Sequence, residues 1–314
     1  MYSYKPLETR LHAIGLKKTD LSEKLGVSSR TIAKMSKGEK IAINVLRKIA
    51  DFLGCQVEDL YSEILDNHIL QVLRDEKNAK IKGGLYHETQ VRMTYNSNHI
   101  EGSKLSEDDT RLIFETRTIL SLGKSVSVDD VIETSNHFRC IDYAIDEALN
   151  PLSEDIIKHF HFLLKQSTKD SMLDYFEVGD YKKRPNVVGG RETCKPKDVP
   201  LAMKKLIENY SSKSNVTIED IISFHAEFEY IHPFQDGNGR VGRLIAFKEC
   251  LRWNIIPFII EDSKKAFYYR GLNNWRQERG WLIDTCLDGQ DTFKELLRML
   301  DINVTSQTCL YQIT

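Results

Sequence analysis

Residues 232–243, His232-Pro-Phe-Gln-Asp-Gly-Asn-Gly-Arg-Val-Gly-Arg243, concentrate proton-transfer, metal-binding and anion-binding groups in one short stretch. Gly237, Asn238 and Gly239 read as a glycine-rich turn that opens a helix. Unpaired backbone N–H groups and the helix dipole at such a turn favour an anion. Arg240 and Arg243 lie three residues apart on that helix, so both guanidinium groups fall near the same anion. A backbone nest with two arginines implies more than one phosphate. Asp236, just before the turn, can hold Mg²⁺ bridging phosphate oxygens. His232 precedes Asp236 by four residues, at the end of the previous helix. A neutral imidazole there can take a proton from an attacking hydroxyl, a contribution of roughly 10²–10⁴-fold. Phe234 points into the core and fixes the loop. The plain alternative, a helix end followed by an ordinary Gly-Asn turn, leaves the coincidence of so many specific residue types unexplained.

These groups must be held by helices. Thr217 with Asp220 three residues on is a helix start. The helix then packs through Ile221, Phe224, Phe228 and Ile231 and runs into His232. The helix after the turn carries Val241, Leu244, Ile245 and Leu251 and ends before Pro257. Of the seven prolines none lies between Leu7 and Asn150, and helical periodicity dominates that stretch, so the class is mainly α. Residues 61–84 read as a connecting helix that loosens at Lys82-Gly-Gly84. A long helical region follows to about Ala148, then helices over 152–168 and Val199–Tyr210. Between these two, Val187 and Val188 before Gly189-Gly190 predict a β-hairpin.

The motif matches the HxFx(D/E)GNGRxxR signature at every fixed position and so resembles the Fic family. That resemblance implies a helical Fic fold with a small β-hairpin flap. It implies transfer of AMP from ATP, as co-substrate, to a Ser, Thr or Tyr hydroxyl of a protein, with release of pyrophosphate. Family roles then fall on His232 as base and Asp236 as Mg²⁺ ligand. Gly237, Asn238 and Gly239 become the phosphate cradle, and Arg240 and Arg243 the β/γ-phosphate contacts. Doc-type relatives that phosphorylate depart at the second glycine; Gly239 is intact, which favours AMP transfer. Val187, Val188 and Gly189 resemble the flap that aligns the target chain by strand addition. The same site run in reverse would remove AMP from a modified protein.

A second stretch, Ser97-Asn-His-Ile-Glu101-Gly102, is similar to the (S/T)xxxE(G/N) inhibitory motif of Fic proteins. Its place before the catalytic motif implies restraint from within the chain. Glu101 paired with Arg243 would take the guanidinium that should hold the γ-phosphate and misalign the α-phosphate for attack. Tyr268 and Tyr269 resemble the aromatic stretch that flanks adenine; core packing is the alternative for both. The family's Asn seven residues after the second Tyr is Arg276 here. His225, His159 and His161 do not form a metal pair and read as structural.

Upstream, residues 5–60 read as four short helices. Leu7, Leu11 and Ile14 share one face of the first. The second runs Thr19–Leu25 and stops at Gly26, a left-handed cap. Ser28 caps the third, Ser29–Ser36, and a fourth spans Ile43–Leu53. Leu21-Ser-Glu-Lys-Leu-Gly-Val-Ser28 resembles the first helix and turn of Cro/lambda-repressor-like DNA-binding domains, with Ser22 small enough for close helix approach. Arg30, Lys34 and Lys37 fall at i, i+4 and i+7, where phosphate and base contacts are made. Residues 1–64 hold eleven Lys/Arg against eight Asp/Glu, and the remainder 33 against 38; a basic head on an acidic body permits contact with DNA. Such domains commonly read paired half-sites, compatible with a homodimer. A nucleotide-responsive DNA-binding regulator is thus a second functional reading.

The expected organisation is a helix-turn-helix domain at 1–64, all α, and a helical linker at 65–149 with the inhibitory motif 97–102. A Fic core at 150–290 and a helical tail at 291–314 complete it. No run of eighteen apolar residues occurs, so no membrane span is expected. The first residues lack the apolar stretch of a signal peptide. The six cysteines are scattered without metal-like spacing. They read as reduced thiols of a cytoplasmic protein.

Overall fold

Capping residues and glycines punctuate this chain so often that its helices are numerous and short. The computed structural model describes residues 2–36, 39, 41–63, 67–120 and 125–302. Among them the order is β1 (Tyr2–Ser3), α1 (Lys5–Ala13), α2 (Asp20–Leu25), α3 (Ser29–Ser36), α4 (Ile43–Leu53), β2 (Ser62–Glu63), α5 (His68–Ala79), α6 (Leu85–Ile100), α7 (Glu107–Thr116) and α8 (Val128–Asp146). Then come α9 (Glu154–Lys165), β3 (Val187–Val188), β4 (Arg191–Glu192), α10 (Val199–Ser211), α11 (Ile218–Ile231), α12 (Asn238–Arg252), α13 (Lys265–Asn273) and α14 (Gly280–Met299). The mainly α architecture expected from the periodicity is what forms. No described helix is long and apolar enough to cross a membrane.

The chain divides into two compact units, residues 1–67 and 68–314. In the first, Leu7, Leu11, Leu21, Val27, Met35, Leu46 and Ile49 form a small core. Gly26 takes φ 64° and ends α2, and Oγ of Ser28 accepts from the N–H of Thr31 at 3.1 Å to start α3. β1 and β2 pair antiparallel, an addition to the expected all-α domain. Two details differ from the sequence reading. α1 stops at Ala13, so Ile14 lies past the helix and is exposed. Ser22 is also exposed; the turn is closed by buried Leu21 and Val27.

In the second unit α12 is the axis. From Arg240 to Leu251 every residue is buried, with α6, α8, α9 and α11 packed around it. A helix buried on all sides must be apolar all round or must pair its charges internally. Here Lys248 Nζ bonds Oε1 of Glu249 at 2.6 Å. Oε2 of Glu249 accepts from Tyr210 at 3.0 Å and Trp253 at 3.2 Å. The other two buried charges, Arg240 and Arg243, lie at the N-terminal end.

The stretch read as a linker is part of this body. Ile69, Leu70 and Leu73 of α5, and Leu85 and Met93 of α6, share one core with α9–α14. The long helical region breaks into α6, α7 and α8 because it contains its own caps. Gly102 takes φ 102°, Ser106 and Asp109 form a capping box for α7, and Ser127 caps α8. The tail boundary at 291 falls inside α14, and residues 303–314 lie outside the described residues. β3 and β4 form the expected hairpin, Val187 opposite Glu192 and Val188 opposite Arg191. Gly189 and Gly190 both take positive φ at its turn, the conformation that matches strand twist in a two-residue loop.

Gly289 on α14 tests how closely the C-terminal helix must approach. A methyl group there would lie 2.6 Å from the carbonyl oxygen of Ile259, whose N–H donates to the Gly289 carbonyl at 3.0 Å. Backbone faces backbone, so no flexible side chain can yield. Gly289→Ala should lose about 1–3 kcal/mol, read as a drop of several degrees in the thermal melt followed by far-UV circular dichroism. An unchanged melt would show that the two segments are not held this closely.

Candidate active site

α11 starts at a capping box. The Asp220 N–H donates to Oγ1 of Thr217 at 3.3 Å, and the Thr217 N–H to Oδ2 of Asp220 at 2.9 Å. The helix ends at His232, which takes left-handed φ 52° and ψ 63° while its N–H still reaches the Phe228 carbonyl at 2.8 Å. That turn throws the chain into the loop 233–237. Phe234 is fully buried and its ring stacks on His161, centroids 4.0 Å apart and planes within 3°. Burial pushes His161 down to about 3, so the ring is neutral. Asn238 closes the loop: its Oδ1 accepts from the Phe234 N–H at 2.8 Å and its Nδ2 donates to the Phe234 carbonyl at 2.9 Å. The Asn238 side chain therefore belongs to the loop, and the Gly237 N–H is taken by the Asp236 carboxylate, so the backbone N–H groups of 238 and 239 are the ones placed to cradle an anion.

The flap stem is tied to the same loop. Lys182 Nζ donates to the His232 carbonyl at 2.7 Å, to Asn186 Oδ1 at 2.7 Å and to Thr193 Oγ1 at 2.6 Å. Its backbone N–H reaches the Pro233 carbonyl at 2.9 Å. Burial and the nearby Arg191 lower Lys182 to about 8, against the influence of Cys194. Val187 is 62 % exposed at the hairpin tip, and the alpha carbon of Gly189 faces the Asn273 side chain.

Arg243 is fully enclosed. Its Nη2 donates to Oε1 of Glu101 at 2.7 Å and to the Ser97 carbonyl at 3.0 Å. Its Nε donates to Ser97 Oγ at 3.0 Å, and its Nη1 to Tyr268 Oη at 3.3 Å. Glu101 sits at the end of α6, and its carboxylate lies directly over Gly239, where a methyl group would collide with Oε1. The carboxylate thus fills the N-terminal turn of α12 as an anion would.

Arg240 faces elsewhere. It pairs with Glu133 of α8 and, at 3.3 Å, with Oδ2 of Asp236. Lys165, 1 % exposed, joins the same cluster: Nζ lies 2.5 Å from Glu133, 3.1 Å from Asp170 and 2.7 Å from Asp236. The two arginines therefore do not share one anion here; each has its own carboxylate. Tyr268 is fully buried with its hydroxyl on Arg243 and His225, so it takes the core-packing alternative. Tyr269 is half-buried and donates to the Ile100 carbonyl at 3.3 Å. On α3, Arg30 is exposed and Lys34 partly so, within 3.8 Å of Glu39; Lys37 lies outside the described residues.

Asp236 suits a metal ion held mainly by substrate phosphates and water, since such ions need only one or two carboxylates from the protein. Its side chain is 52 % exposed. The described residues contain no cluster of three or more His, Cys, Asp and Glu that would form a complete cage. Burial alone would raise the Asp236 carboxyl. Arg240, Lys165 and the Gly237 N–H reverse that and hold it well below the usual carboxylate range. Sequence reading missed Glu133, Lys165, Lys182 and Glu229. Only Glu229, three residues before His232 on one helix, left a local signal.

The Lys165 cluster gives a sign-definite test. Carboxyls depressed in the fold, Asp236 and Glu133, stabilise above the ordinary carboxylate range and lose that contribution as pH falls through it. Lys165→Met removes the cation shared by Glu133, Asp170 and Asp236 and leaves Arg240 to neutralise Glu133 and Asp236. Removing one partner of a buried pair costs about 3–5 kcal/mol, and less here because Arg240 remains and Asp236 is half exposed. The gap in melting temperature between wild type and Lys165→Met should be widest near neutral pH and narrow toward about pH 4. A gap independent of pH would mean that Lys165 does not neutralise these carboxylates.

Residues 151–249 match the Fic/DOC family, and residues 7–66 match the Cro/C1-type HTH DNA-binding domain. The protein adenylyltransferase Fic of Drosophila melanogaster is 26% identical over 189 residues, 59% of this chain and 37% of the fly protein. Its Drosophila yakuba counterpart is 26% identical over 222 residues, 67% of this chain and 43% of that protein. The chain thus spans less than half the length of these curated relatives. Among solved structures, a Fic domain containing signaling protein from Bacteroides thetaiotaomicron aligns with TM-score 0.59 at 22% identity, over 74% of this chain and 95% of that one. Fic-1 from C. elegans aligns with TM-score 0.59 at 18% identity, over 94% and 99%. The second unit thus has the helical Fic fold, with residues 151–249 matching the Fic/DOC family, and residues 7–66 of the first unit match a helix-turn-helix domain of the Cro/C1 type.

Proposed function

We propose that the second unit is a protein adenylyltransferase that moves AMP from ATP to a Ser, Thr or Tyr hydroxyl of a target protein and is restrained by Glu101. The observation that carries this reading is Arg243, a buried cation at a helix N-terminus, paired with a carboxylate that lies over Gly239 in the first turn of that helix. In the proposed reaction His232 takes the proton of the target hydroxyl. The hydroxyl oxygen forms its bond to the α-phosphorus, the bond from that phosphorus to the bridging oxygen breaks, and pyrophosphate leaves. Backbone N–H groups of 238 and 239 and Arg243, once Glu101 has withdrawn, hold the phosphate chain in line. Asp236 would hold Mg²⁺, whose charge offsets that of the phosphate oxygens. An extended target segment would pair with the flap by strand addition at Val187 and Val188.

The first unit we propose to bind DNA through α3, with Arg30 and Lys34 on phosphates or base edges and a homodimer as the simplest way to read paired sites. A cytoplasmic setting agrees with the five described cysteines, all of them free thiols.

Glu101→Gly removes one charge-assisted hydrogen bond of about 1.5–3 kcal/mol from Arg243. Incorporation of labelled AMP from ATP and Mg²⁺ should rise by roughly ten- to a hundredfold. His232→Ala in that background should abolish it with ATP affinity retained within about threefold. Activity unchanged by the first substitution would remove the inhibitory role; activity surviving the second would remove the base. For the first unit, Arg30→Ala with Lys34→Ala should weaken binding to the chain's own upstream DNA and reduce the salt dependence of log K by about two phosphate contacts. Equal binding by the double variant would place the contact elsewhere.

A further inference from the structure

Glu229 is a buried acid beside the catalytic loop that the proposed reaction does not use. It lies one helical turn before His232 on α11, with its side chain 11 % exposed. Room for it is made by Gly242 of α12, where a methyl group would stand 3.0 Å from Oε1 of Glu229 and 2.7 Å from Nδ1 of His225. Oε2 of Glu229 stands 3.7 Å from Nδ1 of His232. Among the described residues, Nδ1 of His232 is buried without a hydrogen-bond partner, and so is Oε1 of Glu229, which faces Gly242. An unpaired buried donor or acceptor is costly, and a shift of under about one ångström would let Oε2 of Glu229 satisfy Nδ1 of His232. Catalytic hydrogen bonds are often long before substrate binds.

The charge of Glu229 follows from what faces it. Burial favours the neutral acid. His232 and His225 on its own helix and Arg243 from α12 outweigh that and keep the carboxyl below its ordinary value. Tyr268 of α13 bridges His225 and Arg243, with its hydroxyl 2.7 Å from Nε2 of His225, and Glu101 closes Arg243 from the end of α6. An ionised carboxylate only accepts hydrogen bonds. The imidazole nitrogen beside it must therefore carry the proton.

We propose that Glu229 is the positioning residue of this site: its carboxylate holds the His232 ring with the proton on Nδ1 and leaves the Nε2 lone pair for the target hydroxyl. It reaches the reacting atoms only through His232. The assignment rests on the transferase reading above for its catalytic consequence, whereas the ring tautomer stands independently of it.

The test uses the full chain with Glu101→Gly, labelled with ¹⁵N-histidine, with and without Glu229→Gln. The glutamine keeps the shape but can also donate to Nδ1. The ¹⁵N shifts of His232 should report the Nδ1–H form in the parent and a move toward the Nε2–H form in Glu229→Gln. Assigned this way, kcat should fall roughly 10²–10⁴-fold, as loss of the orienting acid does in hydrolase triads. The KM for ATP should stay within about threefold. Glu229→Asp, which keeps the charge, should retain the parent tautomer and more of the rate. An unaltered tautomer in Glu229→Gln, or a loss confined to KM or to the melting temperature, overturns the assignment. If the parent itself transfers no AMP, the transferase reading fails, and the tautomer comparison still decides whether Glu229 orients the ring.

Discussion

Two guanidinium groups buried at the start of one helix must be neutralised, and much of the second unit is arranged around that requirement. Arg240 and Arg243 cannot shed their protons, and a buried charge without a partner is far more costly than any single packing defect. Carboxylates therefore come to them from three directions: Glu133 from α8, Asp236 from the loop before α12, and Glu101 from the end of α6. A polyphosphate seated on the same turn offers the same kind of charge. In the proposed reading, restraint and substrate binding are then competing solutions to one electrostatic problem.

The three carboxylates are not equally exchangeable. Glu133 is shared between Arg240 and Lys165, so its removal would strand two cations. Glu101 serves Arg243 alone, at a helix end, beside a glycine in a left-handed conformation. Ser97 and Tyr268 remain on the same guanidinium when Glu101 leaves. Arg243 is thus held by neutral groups on one side and neutralised by a carboxylate at a helix end on another, a division that would let an anion replace Glu101 without the arginine moving.

What the sequence revealed of this follows from distance along the chain. His232, Asp236, the 237–239 turn and both arginines lie within one short segment, so their closeness could be read directly, although not that Arg240 and Arg243 would face different carboxylates. Ser97 and Glu101 were legible because one turn of helix separates them. The caps at Ser28, Thr217 and Gly26 located helix ends because a cap is a local interaction. Lys165 meets Asp236 across 71 residues and Arg240 meets Glu133 across 107, and no local pattern announces such pairs. The same holds for Lys182, whose contacts depend on the flap folding back on the loop 233–237. Tyr268 and Tyr269 are adjacent and chemically alike; only the packing of α13 decided which ring went inside. Helices α5–α8 looked like a connector because their apolar faces could be counted, while the surface they cover could not.

α2 and α4 end in the way helices end most easily, on Gly26 and Gly54 in left-handed conformation. α11 takes the same exit with histidine, although a side chain in that conformation is disfavoured by roughly 1–2 kcal/mol. If His232 is the proposed base, stability and reactivity pull in opposite directions at one backbone position. In a lineage that no longer needed that base, selection for folding alone would not oppose glycine or asparagine there, and residue 232 would be among the first places for decay of function to register as a gain in robustness.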